Sequence, residues 1–457
     1  MNAPTHCSYV YDRYECPLPI SADNNCILHA KAEGKDEAQF LDALRRKIRS
    51  DQEDQDVAAI HLEGIIVPGE FTWRDVVDGL EIKKPVRFSR ATFSASADAD
   101  FSEATFAAST DFSEATFTAN AYFFGAAFSV NAYFSGATFA ASTDFSEATF
   151  ANANFSGATF STYADFSGAT FADASFNGAA FKQRLTFQSI NPPHEDAAED
   201  KPAPEGETPP GRSFRLNFSS VVLEQPQLVS FEDVDLTQAS FLYTNLSHVR
   251  FIAVAWAEEQ ERLWRIPLPA STHYQIGDHV TLEQQWKRLS AEERQQRAAL
   301  VADEYRQLRM NLESDHQEIE AGHFYIGQMD MRRLDTNVPW QQRTFLSAYR
   351  FLAMYGQSAW RPLVFYLLLS LALGLTYLMT GTVTEVADHH WAWGGRLFFL
   401  SGDFWKAFFL AASAGALLRD SVHGTGAWGA ALVYLNMVAD IFLIALFVIA
   451  LRRHFHR

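Results

Sequence analysis

Large apolar residues recur along this chain at two different rhythms, and the change of rhythm divides it. Between 88 and 187, phenylalanine falls at 88, 93, 101, 106, 112, 117, 123, 128, 134, 139, 145, 150, 155, 160, 166, 171, 176, 181 and 187. The step is five or six, with one gap of eight. Small residues such as Ala104, Ala115, Ala132 and Ala153 stand two places before the next Phe, and the phrase "DFSEATF" occurs three times, starting at Asp100, Asp111 and Asp144. A second block places Phe231, Leu236, Phe241, Leu246, Phe251 and Trp256 at strict fives. In an α-helix, positions five apart lie about 140° apart, so these rings would make no single stripe. In a plain strand an odd step puts successive rings on opposite faces. A chain that turns a corner after every five-residue side satisfies the spacing, because each large residue then points at one axis. Fixed-period self-similarity is the signature of such a solenoid. The spacing predicts a β-solenoid over 56–256 with Phe106, Phe117, Phe128, Phe139, Phe150, Phe160, Phe171, Phe241 and Leu246 in its core. Each six-residue step reads as a one-residue bulge at a corner.

After Trp256 the apolar spacing becomes helical. "SAEERQQRAALVADEYRQLRMNLESD" opens with Ser290 and Glu293 in capping-box spacing and continues with Ala299, Leu300, Ala302, Tyr305, Leu308 and Leu312. "HQEIEAGHFYIGQMDMRRL" gives a second helix, and the two make an αα-hairpin within a helical linker, 257–340. A membrane domain, 341–457, follows. "PLVFYLLLSLALGLTYLMT" (362–380) carries no charge and spans about 29 Å as a helix, a bilayer core. "LVYLNMVADIFLIALFVIAL" (432–451) is the second span. Between them lies an apolar stretch interrupted by Asp403 and Lys406. Arg343, Arg350 and Arg361 precede the first span, and Arg452, Arg453 and Arg457 follow the last. Positive charge at both ends places both termini in the cytosol. The middle stretch, 397–417, is then a re-entrant helix.

Charge alters this picture little. The net charge is −18, which argues against a nucleic-acid backbone as partner, since phosphate binding needs clustered Lys and Arg. Part of the acid lies in "NPPHEDAAEDKPAPEGETPPGR", with six Pro and six acidic residues. It cannot bury enough apolar surface to order itself, so a disordered loop is expected over 190–213. The first twenty residues show no basic segment followed by an apolar run, so no secretory signal is expected.

All three cysteines lie near the start, as Cys7-x8-Cys16-x9-Cys26-x2-His29. Three thiols and an imidazole suit a closed tetrahedral zinc site. A disulfide would leave one thiol over and would be out of place in a reducing compartment. The zinc would be structural, pinning a leader, 1–35, that has little core of its own. The other reading is free cysteines, with His6 a competing ligand. "KDEAQFLDALRRKIRSD" then predicts an amphipathic helix over 36–52.

Asp440 and Asn436 share a face of the second span, one turn apart. A carboxylate in hydrocarbon costs about 2.5–3.5 kcal/mol and marks a functional candidate. The pair either lines a water-filled seam between subunits or is structural, with Lys406 or Arg419 answering Asp440. No nucleophile elbow, phosphate loop or His-Glu-x-x-His is present, and no enzyme activity is expected.

The five-residue pattern, over about 88–187 and 231–256, resembles the pentapeptide-repeat family. The resemblance implies a right-handed quadrilateral β-helix. Some members mimic DNA, but residues 88–187 carry only nine acidic and three basic side chains, thinly spread. The cysteine arrangement is similar to the N-terminus of some membrane-tailed members. About 345–457 resembles the two-helix pore module of potassium channels, with one departure. No Thr-x-Gly-Tyr-Gly filter exists; "AASAGALLRDSVHGTG" takes its place, so carbonyl-ring selectivity is not implied. The resemblance implies an inner-membrane, channel-like homo-oligomer whose cytosolic rod docks or senses a protein partner. The alternative is a non-conducting scaffold anchored in membrane lipid.

Overall fold

What turns the chain every five residues is the phrase "DFSEATF" itself. Ala115 N–H donates to the Phe112 carbonyl at 3.0 Å, and Glu114 between them takes φ +57°. A left-handed third residue is what a type II turn requires. Asp111 Oδ1 accepts the Ser113 N–H at 2.8 Å, tightening the corner, and Asp100, Asp144 and Asp165 repeat this bond with Ser102, Ser146 and Ser167. Where the left-handed residue is not Glu it is often Gly: Gly136 sits there at φ +66°. Asp therefore sets the corner, Phe enters the core, Glu or Gly turns left-handed, Ala is buried, and Thr-Phe forms the next short strand.

The computed structural model of the protein describes residues 7–11, 14–20, 25–93, 97–190, 215–263, 266–380, 405, 408–409, 411–412 and 426–455. The chain divides into two units, Met1–Gln317 and Glu318–Arg457.

In the first unit, two-residue strands stack in parallel at intervals of one turn. Thr116–Phe117 pairs with Thr138–Phe139, which pairs with Thr159–Phe160. Three parallel ladders of eight, seven and eight strands make a β-solenoid of about eight turns. Thr105–Phe106, Ala127–Phe128, Thr149–Phe150 and Thr170–Phe171 pair in a further row. The rings inside form four columns. Phe88, Phe112, Phe134, Phe155, Phe176, Phe218 and Phe241 stack in one, with centroids 4.8–5.4 Å apart. Phe93, Phe117, Phe139, Phe160 and Phe181 form the second, and Phe101 to Phe251 the third. Phe106, Phe128, Phe150 and Phe171 form the fourth, with Trp73 tilted against its head at 5.6 Å. Columns meet edge-to-face, as Phe112 and Phe123 do at 5.6 Å and 83°. Both geometries suit the ring quadrupole, and each buried ring contributes about 1.5–3 kcal/mol before entropy is subtracted.

The six-residue step from Phe128 to Phe134 is a bulge against the five-residue step beside it. Phe128 faces Phe150, yet the next pair is Asn131 with Asn152, so one strand carries an extra residue. The six-residue steps from Phe139 and from Phe160 instead stack on each other in register, so not every such step is a bulge as the spacing suggests. Ala174 pairs with Leu216 and Phe187 with Phe231, so the stack resumes on successive rungs across residues 191–214. The loop expected over 190–213 lies, apart from Ile190, outside the described residues.

Both ends are closed. At the start, helix α1 (Glu37–Glu53), capped by Asp36, buries Phe40, Leu44 and Ile48. Its Lys47–Asp51 ion pair is also buried, and Asp51 Oδ2 accepts the His61 N–H at 3.0 Å in the first rung. Helix α2 (Trp73–Val77) supplies Trp73. After the last rung, Ala257–Leu263 and Ile266–Gln275 form an antiparallel hairpin. This corrects the helical reading of 257–275: Pro267 and Pro269 cannot sit inside a helix but suit an edge ribbon. Helices α3 (Gly277–Gln285) and α4 (Ala291–Ser314) follow, and α4 carries the expected Ser290–Glu293 capping box.

These helices complete the exposed backbone of the final turn with side chains. Asp278 Oδ2 accepts the Phe241 N–H at 2.7 Å, and Gln307 Oε1 accepts the Leu246 N–H at 2.6 Å. Asn311 Oδ1 accepts the His248 N–H at 2.9 Å, while its Nδ2 donates to the Leu246 and Val249 carbonyls. An open sheet edge leaves such groups unpaired and prone to pair with other chains. Here three side chains stand in for the missing rung.

The second unit contains α5 (Glu318–Leu334), α6 (Trp340–Ala353), α7 (Trp360–Thr380) and α8 (Gly426–Phe455). Since α4 and α5 fall in different units, the αα-hairpin is not described as one element. Among the described residues, Ala427–Arg452 is long and apolar enough to cross a membrane alone. Trp340–Gly356 and Trp360–Thr376 pass that test only together and are bent by 117°. Of the expected re-entrant helix 397–417, only 405, 408–409 and 411–412 are described, and they are helical; Asp403 and Lys406 lie outside the described residues.

Candidate metal centre

The leader is held by short-range geometry. Val10–Tyr11 and Tyr14–Glu15 form an antiparallel hairpin, and Cys7 N–H bonds to the Leu18 carbonyl while Cys16 N–H bonds to that of Tyr9. These bonds bring Cys7 and Cys16 to one side. Cys26 to His29 is a single turn, with His29 N–H and Ala30 N–H both bonded to the Cys26 carbonyl. A Cys-x-x-His step therefore presents both side chains from one place.

The four residues are buried, and their ligand atoms lie within 4.8 Å of one another. Cys16 Sγ is 3.7 Å from Cys26 Sγ, too far for a disulfide, and all three cysteines are free. His29 Nδ1 is 3.2 Å from Cys26 Sγ and 3.4 Å from Cys7 Sγ. In a tetrahedral site with metal–sulfur bonds near 2.3 Å, neighbouring sulfurs sit about 3.8 Å apart. The spacing already matches, so the cluster could hold a metal ion.

The surroundings fix the ligand atoms. His29 Nε2 lies 2.9 Å from the Glu63 carbonyl and donates its proton there, leaving Nδ1 free to face the thiols. Tyr9 stacks on the His29 ring at 4.2 Å. Tyr9 itself lies on the backbone of Gly64, where an added Cβ would come within 2.1 Å of its ring. Gly64 also has φ +65°, so this position needs glycine for two reasons. Cys26 N–H donates to Cys7 Sγ at 3.2 Å. The hydrogen bond from Cys16 and the neighbouring His29 pull the Cys26 thiol down to about 4, while the same bond and burial push the Cys16 thiol up. Crowded thiols thus share negative charge unequally, and a divalent cation would relieve that crowding.

The turn docks on the first rung of the solenoid: Ile66 N–H bonds to the Leu28 carbonyl at 2.9 Å, and Lys35 Nζ reaches the Leu28 and Ile66 carbonyls. Burial lowers Lys35 to about 8. The cluster therefore ties the leader to the start of the core. The sequence pointed to all four residues of the cluster; Tyr9, Gly64 and the Glu63 carbonyl carry no spacing that would have found them.

The other residues singled out from the sequence lie in two places. Phe106, Phe117, Phe128, Phe139, Phe150, Phe160, Phe171, Phe241 and Leu246 are all buried in the solenoid. Asn436 and Asp440 are each 0% exposed within one chain. Asn436 Nδ2 donates to the Ala411 carbonyl at 2.9 Å, and Tyr366 Oη of α7 donates to the adjacent Ala412 carbonyl. Two helices thus satisfy consecutive backbone carbonyls of the segment between them, as apolar surroundings demand.

Two overlapping stretches, residues 123–170 and 147–190, match the family model for pentapeptide repeats (9 copies). This part of the solenoid is built of pentapeptide repeats. No curated protein and no solved structure matches the chain.

Proposed function

We propose that this pentapeptide-repeat chain is a membrane-anchored docking scaffold. Its rod is a right-handed, four-sided β-helix, and its tail crosses the inner membrane twice, at 362–380 and 432–451, with both termini cytosolic. The four ring columns support four sides. The observation that carries the scaffold reading is the burial of Asn436 and Asp440 inside a single chain. Polar groups closed off within one subunit, with Asn436 satisfying a carbonyl of its own tail, behave as packing groups. Exposed Trp428, Tyr434, Leu435 and Val438 on α8 support a lipid environment around it. With both rod ends covered, its lateral faces of Ser, Thr, Ala and Asn remain for a cytosolic protein partner. The Cys7–Cys16–Cys26–His29 cluster holds a structural zinc ion.

A second reading, a channel-like homo-oligomer, is favoured by the presence of a carboxylate, Asp440, in an otherwise apolar helix. Ion flux into liposomes bearing the purified full chain at high density separates the two. The scaffold reading expects vesicles as tight as protein-free controls. Cation currents that Asp440→Asn abolishes, in protein that remains folded, would refute it.

A further inference from the structure

Among the described residues, one helix of the second unit has an uncovered face. On one side of α6, Leu346 and Tyr349 pack with Ile326 and Met329 of α5 and with Met354 and Tyr355, and Ala353 is buried. The opposite side carries Trp340, 70% exposed, and Phe345, 60% exposed, along with Ala348 and Phe351; Gln341 and Thr344 lie among them. At 3.6 residues per turn these side chains occupy about 140° of arc.

The direction of this face is fixed by the elbow that follows. Met354, Tyr355 and Gly356 take φ of +51°, +55° and +80° in succession. Two non-glycine residues in that region cost about 1–2 kcal/mol each and persist only where surroundings hold them. Here Tyr355 Oη donates to buried Asp330 Oδ1 at 2.7 Å, and Arg350 Nε donates to Asp330 Oδ2 at 2.9 Å. The elbow turns the chain by 117°, so α6 lies 27° from perpendicular to α7. Phe351 contacts Phe365 of α7, with ring centroids 4.8 Å apart. α7 therefore departs on the side of α6 that carries Trp340 and Phe351, while α5 occupies the other side.

We propose that α6 is an interfacial helix, its Trp340–Phe345–Phe351 face seated in the headgroup zone of the bilayer that α7 enters. The inference rests on the proposed membrane anchoring of α7 and α8. A span close to the membrane normal forces a helix so bent to lie near the membrane plane. Its aromatic face then looks down the span towards lipid, and its α5-covered face looks away. Tryptophan and phenylalanine mixed with Gln and Thr suit a depth where one end of the ring is dry and the other wet. Trp360, 60% exposed at the start of α7, sits at the same level.

The test uses the full chain in liposomes with an environment-sensitive fluorophore on Thr344→Cys, Gln342→Cys or Val438→Cys in turn. The unsubstituted chain measures background from the three buried cysteines. Nitroxide lipids spin-labelled near the headgroup or at mid-bilayer serve as quenchers, with aqueous iodide beside them. The expected result is at least about twofold stronger shallow than deep quenching at 344, weaker lipid quenching at 342, and lipid quenching at 438. Lipid quenching at 438 with iodide quenching at 344 overturns the interfacial helix but leaves the span standing. Shielding of 344 from both lipid and iodide assigns the face to protein and also overturns it. An absence of lipid quenching at both 344 and 438 removes the membrane anchoring itself.

Discussion

Replacing Asn311 with Ala tests whether the solenoid is ended by side chains. Asn311 answers one N–H and two carbonyls of the last turn, at His248, Leu246 and Val249, and is itself 8% exposed. Each buried backbone group left without a partner costs about 1–3 kcal/mol. The Leu246 carbonyl keeps the Val249 N–H at 3.1 Å, so the His248 N–H and the Val249 carbonyl are the two groups left unpaired. Water reaches a terminal rung more readily than an interior one, so the low end applies, giving about 2 kcal/mol. That corresponds to about a thirtyfold larger population of the frayed last turn. Stacked turns couple mainly to their neighbours, so the effect should fade rung by rung. The assay is amide hydrogen exchange on the detergent-solubilised full chain. Peptides over 241–251 should exchange about thirtyfold faster, while those over 112–139 keep wild-type protection. Asn311→Asp retains the acceptor for His248 but sets a carboxylate against two carbonyls, and should loosen the same peptides. Unchanged exchange at 241–251, or an equal increase along the whole rod, would refute the cap.

The same cap should respond to pH. Glu304 is buried, and desolvation together with the nearby Asp278 carboxyl raises its pKa well above the usual carboxylate value; Asp278 is raised by burial too. A raised folded pKa means the folded state binds more protons, so this contribution is complete below about 4.5 and fades as pH rises through the folded value. Corrected exchange at 241–251 should therefore be faster at pH 8 than at pH 5, and Glu304→Gln should flatten that difference. At the corners, Gly136→Ala meets only the Glu114 side chain, at 3.6 Å, so its cost should be the left-handed φ alone, about 1–2 kcal/mol; Glu147→Gly should raise the melting temperature. Phe139→Ala should lose about 3–5 kcal/mol and Phe139→Leu much less, compared by denaturant midpoint. Purified chain should carry about one zinc per molecule by elemental analysis, Cys26→Ser should carry none, and metal loss should speed exchange in residues 26–35 before the rod responds.

The rod was legible in the sequence because its rule is local. Five residues make one side, Phe must face inward, and Asp, Ser and Gly or Glu turn the corner; reading seven letters gives the unit, and repetition gives the stack. The four clustered residues were legible for a related reason, since three thiols and an imidazole in one short leader suit a single tetrahedral site. The hairpin at 257–275 was misread because helical spacing further on was extended back over Pro267 and Pro269, where the local chemistry already argued otherwise.

Tertiary structure alone decided how the rod ends and where the polar groups of α8 face. Asp278, Gln307 and Asn311 are ordinary polar residues on helices, and nothing in their spacing says that they meet the backbone of residues 241–249; that meeting depends on contacts some 37 to 65 positions apart. Asn436 and Asp440 share a helix face by periodicity, but whether that face is open or closed depends on what packs against it, which no count along one helix can supply. Sequence determines what recurs nearby along the chain; the fold determines which distant groups close the structure off.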